Sequence, residues 1–227
     1  MNKKGPKERV WLLAIVGTVA VGLVIIVSAG TIYYWQAWVF LALLAVSGLS
    51  INLYLTKHDP ALLASRTKFG PGAEQRPVQK FIVALMSIPA IGGFIVPALD
   101  HRFGWSSVPL WLEIAGNLLF ILSMWMVYRV YKENSFGSAT IEIAKDQKVI
   151  TTGPYAIVRN PMYASAVLFY IGMTLALGSY WGLIPALLMI PAFALRLFDE
   201  EKFLAINLPG YTEYCAKVRW HLIPGIF

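Results

Sequence analysis

The sequence predicts an all-α fold, that of a polytopic integral membrane protein with about six transmembrane helices. Three observations carry this expectation. Of the 227 residues, 58% are hydrophobic and only 14% charged, with a mean hydropathy of +0.63. A soluble domain is nearer half apolar and a quarter charged. The apolar excess is gathered into six runs, roughly 11–30, 36–55, 80–99, 108–130, 162–177 and 180–198. With six crossings, 18 of the 19 Lys and Arg fall on one side and only Arg102 on the other. That is the positive-inside pattern, and it puts both termini in the cytoplasm.

A bilayer core about 30 Å thick needs about 20 helical residues, and about 17 at the least. The first four runs meet this. Lys3, Lys4, Lys7 and Arg9 precede the first run. Its Val27-Ser28-Ala29 faintly resembles a signal-peptide cleavage site, but the apolar stretch is longer than a signal core. Removing it would also undo the charge bias, so it reads as a retained helix. The loop 56–79 holds Asp59-Pro60 and Gly70-Pro71-Gly72, which break helices. Within it, Ala61-Leu62-Leu63 reads as an amphipathic turn on the membrane surface. Residues 100–107 form a short outer turn. In the fourth run Glu113 and Asn117 share a helix face, and Glu113 reads as a carboxylate solvated at the interface. Trp35, Trp38, Trp105, Trp111 and Trp181 mark outer span ends, where amphipathic rings settle.

Residues 131–152 form the longest polar segment between runs. The last two runs are short and separated by Gly178-Ser179, so they read as a tight helical hairpin that either spans fully or is shielded by its neighbours. Pro185 and Pro191 in the sixth run predict either a kink that opens a cleft before Arg196 or a simple bend. No second domain or repeat is visible. The chain reads as one domain, 1–227, with a four-span part, 1–130, and a part carrying the polar motifs, 131–227.

The net charge of +7 is accounted for by an anionic lipid surface and requires no nucleic-acid partner. The single cysteine, Cys215, excludes an internal disulfide and a multi-cysteine metal site.

Two polar blocks abut apolar runs: Gly153-Pro154-Tyr155 through Arg159-Asn160-Pro161-Met162-Tyr163, and Arg196-Leu197-Phe198-Asp199-Glu200-Glu201. Only the hairpin separates them, so they meet at one membrane surface. Ionisable residues there read as a functional site by default. Gly153-Pro154 suits a tight turn. Asn160-Pro161 suits a capped helix start whose free N–H groups attract an anion. The plain alternative is a helix start at the interface. Arg196 and Glu200 lie four apart on one helix face, either as a salt bridge or as a plus–minus pair for a zwitterionic ligand such as an amino-acid moiety. Asp199-Glu200-Glu201 is an unfavourable helix end, a solvated face, or a cation site.

These blocks, with Thr151-Thr152, Pro209-Gly210-Tyr211-Thr212-Glu213-Tyr214, Val218-Arg219 and Ile223-Pro224, resemble the signature of the isoprenylcysteine carboxyl methyltransferase family, which is related to the phospholipid N-methyltransferases. The resemblance covers about 131–224. Asp59-Pro60-Ala61-Leu62-Leu63 and Arg66 match loosely. It implies S-adenosylmethionine as methyl donor, a lipophilic small-molecule or lipidated acceptor reached from the bilayer, and a cofactor pocket at the cytoplasmic face. It also implies that Gln147, Lys148, Val149 and Ile150 line the cofactor, that Tyr155, Asn160, Pro161, Met162 and Tyr163 complete its pocket, that Glu200 takes its ammonium, and that Arg196 sits near the acceptor as the catalytic residue. No metal is implied. Asn160 departs from the family's usual His, which puts any role for an imidazolium in doubt. A sterol-type reductase using a nicotinamide cofactor and a non-catalytic protein on the same scaffold are the alternatives.

Overall fold

The computed structural model describes residues 6–67 and 70–227, with side chains from residue 10 onward. Lys3, Lys4 and Lys68, used in the charge argument, lie outside the described residues, as do the side chains of Lys7 and Arg9. Six long helices run back and forth: α1 (Pro6–Ala29), α2 (Trp35–His58), α4 (Pro77–Phe103), α5 (Leu110–Glu133), α6 (Pro161–Ala176) and α7 (Leu183–Asn207). Short helices α3 (Pro60–Ser65) and α8 (Tyr211–Lys217) accompany them, and the described residues contain no strand. Pro at the first position starts α3, α4 and α6, where its missing N–H costs nothing. Gly104, at φ 65°, ends α4 and returns its N–H to Asp100, a left-handed cap that glycine adopts without strain.

Four helices, α1, α2, α4 and α5, are long and apolar enough to cross a membrane. α6 has 16 residues, or about 24 Å at 1.5 Å per residue, and falls short of a bilayer core. Its protein surroundings explain how so short an apolar helix is held. It packs along α5 and also touches α2, α4 and α7. Gly116 and Gly172 make the α5–α6 approach possible: a Cβ on Gly116 would lie 2.5 Å from the Ala176 nitrogen, and one on Gly172 would lie 2.7 Å from the Phe120 nitrogen. Small residues at such crossings let helix backbones meet.

The turns after α1, α4 and α6 gather at one end of the bundle. The Tyr34 hydroxyl donates to the Leu177 carbonyl (2.5 Å), and the Ser179 and Ser106 hydroxyls donate to Asp100 (2.5 and 2.6 Å). The opposite end collects the α3 segment, the 134–160 linker and the C-terminal tail. All five tryptophans named above are exposed.

Four sequence expectations change. Glu113 is buried and accepts from Gln36 (3.1 Å) instead of lying solvated at the interface. A carboxylate in that position needs a donor, and α2 brings one. Ala61-Leu62-Leu63 forms α3, capped by Asp59 (2.9 Å to the Leu62 nitrogen), with Leu62 and Leu63 buried against Val10 and Leu55 rather than on a lipid surface. Asp100 belongs to α4, so the outer turn begins at Gly104. Pro185 falls in the first turn of α7, and only Pro191 interrupts its interior.

Candidate active site

At the end where the linkers converge, a cavity of about 360 Å³ opens between α4, α5, α6, α7 and α8, a volume typical of small-molecule sites. Its lining includes Gln147, Lys148, Val149, Ile150, Tyr155, Asn160, Pro161, Met162, Tyr163, Arg196 and Glu200. The fold thus brings to one cavity every residue that the resemblance implies for the site, from segments up to 53 positions apart, Gln147 to Glu200, whereas Asp199 and Glu201 are not on its lining. Toward the bundle interior the lining turns apolar, with Val83, Met86, Ala166 and Phe193.

Local sequence places these groups. Gly153, at φ 57°, starts a 3₁₀ turn, Gly153–Ala156, that presents Tyr155. A Cβ there would meet Glu133, whose Cγ would be 2.5 Å away, so glycine is required on both steric and backbone grounds. The Tyr155 hydroxyl accepts from Asn134 (2.8 Å), and its carbonyl accepts from the Tyr214 hydroxyl (2.7 Å). Burial, only partly offset by Asn134, pushes the Tyr155 phenol up to about 12, so it stays a neutral polar wall. Burial raises Tyr211 and Tyr214 as well. Gln147 accepts from the Ala144 N–H (2.8 Å) and closes the loop that carries Lys148, Val149 and Ile150 past the cavity.

Arg159 works as a staple. It donates to the carbonyls of Val218 (2.6 Å) and Cys215 (3.1 Å) and pairs with Glu201 (3.3 Å). Its backbone N–H and that of Asn160 donate to the carbonyls of Trp220 and His221. The C-terminal tail is thereby fixed against the start of α6.

α7 continues past its consecutive acids, as the solvated-face reading expects, but each acid has its own protein partners instead of lying on a bare solvated face. α7 continues to Asn207, so Asp199, Glu200 and Glu201 are not at its end. Asp199 forms a bidentate pair with Arg76 (2.5 and 2.8 Å) and also accepts from Gln79. Glu201 accepts from Asn160 (2.7 Å), pairs with Arg159, and contacts His221 Nδ1 (2.9 Å). Glu200 accepts from the Tyr163 hydroxyl (2.6 Å) and has no ion pair among the described residues. No cluster of metal-ligating side chains occurs among the described residues.

Asn160 and Arg196 depart from expectation. Asn160 occupies the N-cap position of α6, but its side chain makes no cap bond, and its Nδ2 donates to Glu201 instead. Pro161 has no N–H, and the Tyr163 and Ala164 N–H groups donate to the Asn160 carbonyl. Little remains there for an anion. Arg196 does not pair with Glu200. Its guanidinium donates to Glu74 (2.6 Å), Gln79 (3.1 Å) and the Ala139 carbonyl (2.9 Å). It is buried and neutralised by Glu74, as a buried cation must be.

Glu74, Arg76 and Gln79 escaped the sequence reading because they lie in a stretch taken for a linker. The signal was present: Gln79 and Arg76 flank the start of an apolar run and face Asp199 and Arg196 from across the bundle.

Residues 111–208 match the family model described as phospholipid methyltransferase. The matched stretch, less than half of the chain, runs from the start of α5 through the end of α7 and contains both polar blocks. It suggests a membrane methyltransferase. It does not single out the related isoprenylcysteine carboxyl methyltransferases. No curated protein matches the chain.

Proposed function

We propose that this protein is an integral-membrane methyltransferase that uses S-adenosylmethionine and methylates a lipophilic acceptor entering from the bilayer, with the cavity facing the cytoplasm and all six long helices crossing the membrane. One observation carries this reading: a single cavity joins Glu200, a half-buried carboxylate without an ion-pair partner among the described residues, to an apolar branch at Val83, Met86, Ala166 and Phe193. The family match agrees with it.

The residues fit the donor. When bound, S-adenosylmethionine supplies a methyl group on a positively charged sulfur. Glu200, oriented by Tyr163, is placed to hold an ammonium, since a half-buried carboxylate gains most from a charged donor. The 147–150 loop and the Tyr155 turn supply polar walls, and Met162 and Tyr163 the floor. Transfer from a sulfonium quenches charge, so alignment in a dry site does most of the work. The described lining contains no histidine, Glu74 is bound to Arg196, and Glu142 is exposed and accepts from Ser138 and Thr140. That favours an acceptor already anionic, such as a carboxylate of the isoprenylcysteine type, over an amine that must first lose a proton. Arg196, neutralised by Glu74, is read as a positioning residue that joins α4, α7 and the Ala139 loop beside the acceptor branch.

The test is transfer of labelled methyl from S-adenosylmethionine into a host membrane extract by the full-length protein in lipid nanodiscs. Label in the organic phase that mild base releases as methanol supports a carboxylate acceptor. Base-stable label points to an amine. Absence of both transfer and S-adenosylhomocysteine binding overturns the reading.

A further inference from the structure

Four cations line the cavity: Arg66, Lys148, Arg159 and Arg196. Arg159 and Arg196 are neutralised by Glu201 and Glu74. Lys148 is exposed at the rim. Arg66 differs from all three. It follows α3 directly, and its guanidinium lies over the Tyr131 ring at 4.7 Å. It forms no ion pair and donates no hydrogen bond among the described residues, and its Nε is buried without a partner. A guanidinium has five donors in a fixed fork, and leaving its buried Nε–H without an acceptor is costly. An aromatic face offsets part of that cost but accepts no in-plane hydrogen bond.

The same cavity holds Glu200, a half-buried carboxylate with no ion pair among the described residues. Arg66, Tyr155 and Glu200 all line this one cavity. Arg66 and Glu200, a cation and an anion without an ion pair among the described residues on the walls of one cavity, match a zwitterion, whereas Lys148 and Glu142, the other unpaired charges of the lining, are exposed. The competing anion site, the start of α6, is closed by Pro161 and by the bonds to the Asn160 carbonyl.

We infer that Arg66 is the carboxylate-binding residue of this cavity, taking the amino-acid carboxylate of the methyl donor while Glu200 takes its ammonium. This rests on the methyl-donor reading above and adds a residue from outside the matched family segment. It also explains why α3 is pinned by the Asp59 cap and by Leu62 and Leu63: that short helix aims Arg66.

The test is calorimetric binding to the full-length protein in nanodiscs, with S-adenosylhomocysteine and with decarboxylated S-adenosylhomocysteine, which lacks only the carboxylate. Wild type should lose about ten- to a hundredfold in affinity when the carboxylate is removed, as for one charge-assisted bidentate contact. Arg66→Met should lose about as much toward S-adenosylhomocysteine and nothing further toward the decarboxylated ligand, because the two changes remove one contact. Arg66→Lys should recover part of the loss. Equal affinity of wild type for the two ligands overturns the inference without any variant. So does an Arg66→Met loss that is the same for both ligands. If wild type binds neither ligand, the donor reading fails and this assignment falls with it. If Glu200→Gln weakens binding while Arg66→Met does not, the donor reading stands and only Arg66 is wrong.

Discussion

Glu200 and Glu201 are adjacent in sequence and chemically identical, yet the structure gives them opposite tasks, so they form an internal control. Glu200 has one protein donor, Tyr163 at 2.6 Å, and no ion pair. Glu200→Gln removes a half-buried charge that has no ion pair among the described residues. Its effect on folding should be neutral or slightly stabilising, since an unpaired, partly desolvated charge is a cost. The same change removes the partner of the ligand's ammonium. A charge-assisted hydrogen bond contributes about 1.5–3 kcal/mol, so S-adenosylhomocysteine affinity should fall about ten- to a hundredfold. Glu201 has three partners, Arg159, Asn160 and His221. Glu201→Gln leaves Arg159 without its carboxylate and should destabilise by about 1–3 kcal/mol, loosening the C-terminal tail while changing ligand affinity less than threefold, or about 0.6 kcal/mol. Thermal unfolding in detergent and calorimetry on the same preparations separate the two effects. The reasoning is refuted if Glu200→Gln lowers the melting temperature and keeps full affinity, or if Glu201→Gln is the variant that loses the ligand.

The remaining predictions address other parts of the molecule. In a Cys215→Ser background, a cysteine at exposed Ser107 should react with an impermeant maleimide from outside intact cells and one at exposed Lys145 should not; the reverse pattern would invert the proposed topology. Gly172→Val should force α5 and α6 apart, because its Cβ would sit 2.7 Å from the Phe120 nitrogen, and should cost about 1–3 kcal/mol or more; an unchanged melting temperature would contradict the close crossing. Burial raises the Cys215 thiol above its ordinary value, which disfavours the thiolate. Its alkylation at pH 8 should therefore be slower than that of free cysteine and should rise at higher pH than free cysteine does. A free-cysteine rate and midpoint would refute this. Asn160→Leu should lower the melting temperature through loss of the 2.7 Å bond to Glu201, by about 1 kcal/mol, with ligand affinity nearly unchanged. A large affinity loss at full stability would instead mean that the amide reaches the ligand.

The helices were legible because a bilayer imposes length and hydropathy on each one, and the cavity wall was legible because its residues lie in two compact motifs. The partners were not. Gln79 reads as the polar edge of an apolar run, and only the packing of α4 against α7 turns it into a fully buried link between Arg196 and Asp199. Asn160 at a Pro-started helix looks like a cap by local rules. Asn160 instead donates its Nδ2 to Glu201, 41 positions away, a charged acceptor that the local rule does not see. Glu113 looked solvated because hydropathy places it near a span end, and no one-dimensional reading sees Gln36 arriving from α2.

The run Asp199-Glu200-Glu201 shows how a few residues can organise such a site. Successive residues of an α-helix point about 100° apart, so three acids in a row face three directions. Asp199 meets Arg76 and Gln79 and ties α7 to α4. Glu201 meets Arg159, Asn160 and His221 and ties α7 to the start of α6 and the tail. Both are saturated by protein partners, and both fix the rotation of α7 about its axis. Glu200, between them, is thereby aimed into the cavity with only a hydroxyl for company. A single acid on a free helix end would be solvated and would turn with its helix. Flanked by two anchored acids it is held in place with no ion pair among the described residues, and under the proposed function the ammonium of the methyl donor supplies one. The cluster that looks like excess negative charge in the sequence is thus two anchors and one site.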